Sequence, residues 1–192
     1  MDCAALIVPA LVAGLGVWFT SFVLWTFSGL HTKDIRPLED ESGFMDDMKK
    51  HALGPGLYMW PNCRDRKDMS SDDFKARWKA GPWGTINVLH GQPNFQRNLI
   101  GSLAANVLIA FGIAVAISMV LGGVNGAEQL ITCTWCQVFT PSLIMAACVY
   151  MLAPICEGLF MGKQTRFMVT SAIDGAIYAV ITALLLTVLW PV

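Results

Sequence analysis

Positive charge is missing from most of this chain. All thirteen Lys and Arg residues lie between Lys33 and Arg97 or between Lys163 and Arg166. Without a cation ahead of it, the apolar N-terminal stretch lacks the basic start of a secretory signal, and no small-x-small cleavage site follows it. A one-signed patch is missing too. Residues 31–98 mix eleven Lys/Arg with ten Asp/Glu and the net charge is -1, which argues against a nucleic-acid binder. There is no dense polybasic run to grip anionic lipid. Charged residues make up only 14% of the chain, too few to clothe a soluble domain of this size. His31, His51, His90 and Cys63 match no compact zinc-ligand spacing, so no metal site is expected. No phosphate-binding glycine loop, nucleophile elbow or metalloprotease helix occurs, so nothing in the motifs argues for an enzyme or names a catalytic residue.

What the chain has in quantity is apolar sequence, at 55% of residues. Four stretches, Ala4–Leu30, Leu99–Leu121, Leu130–Ala153 and Phe167–Trp190, meet or exceed the roughly 20 residues needed to cross a bilayer core about 30 Å thick. The expected fold is therefore mainly α: a four-transmembrane-helix bundle with a small α+β cytoplasmic cap between helices 1 and 2. Residues 1–30 form helix 1, 31–98 the cap and 99–192 helices 2 to 4. Because Lys and Arg favour the cytoplasmic side, both termini are expected outside, with residues 31–98 and 154–166 inside.

The cap carries local start and stop signals. Pro37 with Leu38, Glu39 and Asp40 predicts a helix start, Phe44, Met45, Met48 and Leu53 its apolar face, and Gly54-Pro55-Gly56 its end. Leu57–Trp60 and Thr85–Leu89 read as short strands. Ser70 with Asp73 has the form of a capping box for a helix over Ser71–Ala80, on which Phe74 and Trp78 share a face. A cap of about 65 residues is near the lower limit for a self-sufficient core. Trp60, Trp78 and Trp83 are then candidates for partner contact as well as for ordinary core and interfacial packing.

Inside the spans, an ionisable residue is a functional hypothesis by default. Asp174 is one, about 12 Å into the fourth span from Arg166 at 1.5 Å per residue. Asn106 has a matching depth in the second span, so an Asp174–Asn106 hydrogen bond is expected. Thr170, Ser171, Tyr178 and Thr182 share a broad face with Asp174. Ser171, Gly175, Ala179 and Ala183 also form a small-xxx-small row, which would make Asp174 helix glue rather than a relay. Glu157 is expected to pair near Lys163 and Arg166, and Pro141 to kink the third span.

Cys133-Thr-Trp-Cys136 at the start of the third span, with Cys3 on the same side, has the spacing of a thiol–disulfide pair. It partly resembles four-helix quinone-linked disulfide oxidases and vitamin K epoxide reductases, but the second outside cysteine pair of those families is missing. Two small apolar cysteines packed in a helix explain the pair as well.

Gly56-Leu-Tyr58-Met-Trp60-Pro61-Asn-Cys63, Phe74-Lys-Ala-Arg-Trp78-Lys-Ala-Gly81-Pro82, Asn87-Val-Leu-His-Gly91-Gln-Pro93-Asn94, Ile173-Asp174-Gly175 and the terminal Trp190-Pro191 occur together. With them the chain resembles a group of uncharacterised bacterial integral membrane proteins bearing a cytoplasmic G-x-Y-x-W/F-P-x-C segment. The resemblance implies a bacterial inner membrane and no particular chemistry. The role expected first is an accessory or scaffolding subunit, self-associating or presenting its cap to a protein partner. A small proton- or ion-linked transporter or channel using Asp174 is the alternative, and a thiol–disulfide or quinone oxidoreductase the third reading. A bound lipid or quinone fits these readings; no other cofactor is called for.

Overall fold

The computed structural model describes residues 3–124 and 135–191. Its main elements are helix α1 (Ile7–Phe27), helix α2 (Glu41–Lys50), strand β1 (Gly56–Trp60), helix α3 (Asp72–Ala80), strand β2 (Gly84–Val88), helix α4 (Phe95–Val124), helices α5 (Thr140–Ala147) and α6 (Ala153–Met161), and helix α7 (Thr165–Val188). Four helical runs are long and apolar enough to cross a membrane: Ala4–Phe27, Phe95–Gly122, Trp135–Met161 and Thr165–Val188. The chain divides into two compact units, a bundle of residues 1–36 and 95–192 and an inserted unit of 37–94. Residues 31–36 thus group with the bundle.

The bundle buries many small residues beside a few aliphatics such as Leu6, Ile113 and Leu186, and it carries many large apolar residues on its outside. Ala10, Ala13, Ala110, Ala114, Ala146, Ala179 and Ala183 are buried, while Phe19, Leu108, Met119, Phe160 and Val188 are exposed. A water-soluble bundle would reverse this, because sequestering large apolar side chains from water is what drives its assembly. Small interior residues instead let helix backbones approach closely. Gly175 of α7 shows how closely: a side chain there would collide with the backbone carbonyl of Tyr150.

The third long helix is built in pieces. Wide π-type turns at Trp135–Phe139 and Cys148–Leu152 precede α5 and α6, whose first turns hold Pro141 and Pro154. Proline lacks an N–H and its ring clashes with the carbonyl four residues back, which a wider turn relieves. The single disturbance expected at Pro141 is therefore one of two.

In the inserted unit, β1 and β2 pair antiparallel with Tyr58 opposite Ile86 and Trp60 opposite Gly84. Two helix starts differ from expectation. Helix α2 begins at Glu41 rather than at Pro37, because the Asp40 side chain caps it by accepting from Gly43 N at 2.9 Å. The cap of α3 is Ser71, not Ser70: Ser71 Oγ accepts from Phe74 N at 3.2 Å, whereas Ser70 closes the preceding 3-10 turn, Arg66–Ser70, by donating to Lys67 O. Among the described residues of this unit Phe74 alone is buried, and it is still 9% exposed. Lys49–Asp46, Lys50–Asp47, Lys75–Asp72 and Arg77–Asp73 pair along exposed helix faces. Such pairs contribute about 0.3–0.5 kcal/mol each, so charge does little to hold the unit together.

Candidate functional site

The site lies where the chain leaves α1. Ser28 Oγ bonds back to Leu24 O, and Gly29 takes a left-handed φ of 67° that a side chain would disfavour. The chain then reverses in a tight turn, with Thr32 N donating to Gly29 O and Asp34 N to His31 O. This turn places His31 and Asp34 three residues apart against α7. His31 is 8% exposed and the side chain of Asp34 is fully covered.

His31 is held on both edges and one face. Its Nδ1 lies 2.8 Å from Asp34 Oδ2 and its Nε2 lies 3.0 Å from Asp174 Oδ2. Trp25 stacks on the ring at a centroid distance of 3.9 Å and an interplanar angle of 2°. Asp34 has further partners: Thr170 Oγ1 donates to its Oδ2 at 2.7 Å, and Arg166 Nε lies 3.1 Å from its Oδ1. Arg166 Nη2 also donates to Leu30 O at 3.0 Å, fastening the turn to the start of α7. The Thr170 hydroxyl, with His31 and Arg166, holds the Asp34 carboxyl below its ordinary range against burial, which pushes it up.

The cluster conserves charge if one proton moves. Imidazolium beside two carboxylates and Arg166 sums to zero, and so does neutral imidazole accepting from an Asp174 carboxylic acid while Asp34 stays ionised. His31 Nε2 lies 3.0 Å from Asp174 Oδ2 but out of hydrogen-bond alignment with it; a proton on either residue leaves the cluster without a net charge among apolar helices, which would be costly.

Polar groups continue away from the cluster along α7. Arg166, Thr170, Asp174, Tyr178 and Thr182 recur every four residues in a row that winds gradually around α7, a rise of about 24 Å at 1.5 Å per residue. Tyr178 interacts with Asp174 and with Ser21 of α1. Its ring meets Tyr150 edge to face at 5.8 Å, and Tyr150 faces Thr182. Among the described residues, the buried hydroxyls of Ser142, Tyr150 and Thr182 make no well-aligned hydrogen bond to protein, although Tyr150 and Thr182 face each other. Buried hydroxyls without protein partners are where internal water binds.

Several expected residues lie elsewhere. Asn106 does not meet Asp174; its amide donates to Ser102 O at 2.9 Å within its own helix, and His31 takes the place foreseen for it. A side-chain amide has its own helix carbonyls within reach, whereas the carboxylate needs a donor from outside. Ser171 lies half-buried beside the column. Glu157 pairs with Lys163 at 2.8 Å, and Arg166 goes to Asp34 instead. Cys136 is exposed, while Cys133 and the side chain of Cys3 lie outside the described residues. Trp60, Trp78 and Trp83 are exposed at 42%, 50% and 61%, and Trp83 Nε1 donates to Trp78 O at 2.7 Å. His31 and Asp34 were missed as site residues because they fall after the apolar stretch and read as loop. The signal available was His-x-x-Asp directly behind a Ser-Gly helix stop.

No family model, no curated protein and no solved structure matches this chain.

Proposed function

We propose that this chain is a multi-pass protein of a bacterial inner membrane, with both termini outside, and that it works as a small proton-linked transporter or channel. The observation that carries the reading is the buried His31–Asp174 contact at 3.0 Å. A histidine and a carboxylate facing each other among span-length helices can bind and release one proton, and intramembrane ionisable groups are retained mainly where they are used. Tyr178, Tyr150, Thr182 and Ser142 offer hydroxyls for onward transfer, bridged by water. The confinement of every Lys and Arg to residues 33–97 and 163–166 supports the orientation. The many large apolar residues exposed on the outside of the bundle support the bilayer.

The test is proton flux in liposomes carrying the purified protein and a trapped pH dye. Wild type is expected to dissipate an imposed pH gradient, and Asp174→Asn and His31→Asn to lose most of that flux while remaining folded. Flux no greater than in empty liposomes, or unchanged in both variants, contradicts the reading.

One observation favours an accessory role as a second reading. In the inserted unit Leu57, Met59, Trp60, Trp78 and Trp83 are exposed and Phe74 is the buried anchor. So small a unit cannot cover its own aromatics, and tryptophan is enriched where proteins meet partners. Changing Trp78 and Trp83 to Ser is then expected to release a protein that co-purifies with wild type, leaving flux intact.

A further inference from the structure

A groove of about 750 Å³ opens between α1 and α4, lined from α1 by residues that also touch the proton site. Trp25, which stacks on His31 with one face, lines it, and so does Ser21, the partner of Tyr178. The floor is pinned by Trp18, whose indole N–H donates to Leu99 O at 3.1 Å. Such a volume is ordinary for a small-molecule site.

Its chemistry is selective. The lining holds no Lys or Arg, so nothing there would neutralise a phosphate. It combines the rings of Trp18, Trp25 and Phe95 with donors from Ser21, Thr26 and Asn98. Flat aromatic walls suit a planar ring by offset stacking. Hydroxyl and amide donors suit a neutral ligand whose polar atoms are acceptors. Phe22 and Leu99, also in the lining, would meet an apolar tail.

We propose that this groove seats the head of a membrane quinone: a neutral ring bearing two carbonyl acceptors on an apolar tail. The ring would lie against the face of Trp25 turned away from His31, with its carbonyls accepting from Thr26 and Asn98. This is a binding proposal, independent of whether the proton site conducts.

Decylubiquinone titrated into the full-length protein in phosphatidylcholine nanodiscs tests it, with tryptophan quenching as the readout and two groove variants as controls for simple partitioning. Wild type is expected to show saturable quenching. Ser102→Phe, which fills the groove, and Asn98→Leu, which removes a donor at similar volume, are expected to weaken it about tenfold or more. Thermal unfolding of each variant shows that it remains folded. Quenching that is linear in quinone, or equal in wild type and both folded variants, overturns the proposal. So does native mass spectrometry in which a phospholipid, rather than the quinone, is retained by wild type and lost from Ser102→Phe. Saturable binding without flux would remove the transport reading and leave the groove; flux without binding would remove the groove alone.

Discussion

At the scale of single residues, the account rests on how few partners Asp34 and Asp174 can have and how specific those partners are. Asp34 is covered, yet it is ionised in a site built for the anion, with Thr170 donating to it and Arg166 beside it. Its carboxyl is held below the ordinary range, first by the Thr170 hydroxyl. A depressed carboxyl stabilises the folded state above its unfolded value, and that contribution is lost as pH falls through the folded value. Thr170→Val raises the folded value, so the acid-side loss of stability is expected to begin at higher pH than in wild type. Thermal unfolding followed across the acid range measures this; superimposable acid limbs would show that the Thr170 bond does not form. Asp174 was legible in the sequence because a lone acid in an apolar run is conspicuous. Its partner was not, because His31 reaches it only after Gly29 turns the chain back, and nothing in local spacing reports a contact between residues so far apart in sequence.

Elements were legible in proportion to how local their causes are. The four long helices follow from apolar length alone; three appear within four residues of where the sequence puts them, while the third runs on to Met161, eight residues beyond the expected Ala153 and through part of the expected loop. Caps were placed less well, since neighbouring residues compete for the same orphan N–H groups. At α3, Ser70 and Ser71 both look suitable, and the preceding 3-10 turn decides between them by engaging Ser70. Ser71→Ala is therefore expected to cost about 1 kcal/mol in the inserted unit, against a few tenths for Ser70→Ala. Hydrogen exchange of the α3 amides separates the two, and equal effects would put the cap elsewhere. The second wide turn, ahead of Pro154, went unread because the proline follows a long apolar run that already looked finished. Gly175 behaves in the opposite way: its place in the small-residue row was visible, but only the backbone of Tyr150 against it explains why no side chain fits.

At the scale of the whole molecule, two kinds of chain share one sequence. The bundle buries alanines and a charged cluster, whereas the inserted unit buries one phenylalanine and exposes its tryptophans. That partition was legible from composition, since cations and turn residues concentrate between the first two spans. What composition could not reveal is that residues 31–36 belong with the bundle, where they bring it the histidine on which the functional reading depends. The most direct measurement is ¹⁵N NMR of His31 in bilayers, in a background with His51→Gln and His90→Gln so that one histidine remains. A proton shared with Asp174 is expected to give an Nε2 resonance between the protonated and unprotonated limits, and Asp174→Asn to move it to one limit while leaving Nδ1 bonded to Asp34. An Nε2 resonance identical in wild type and Asp174→Asn would contradict the shared proton and, with it, the proposed transport.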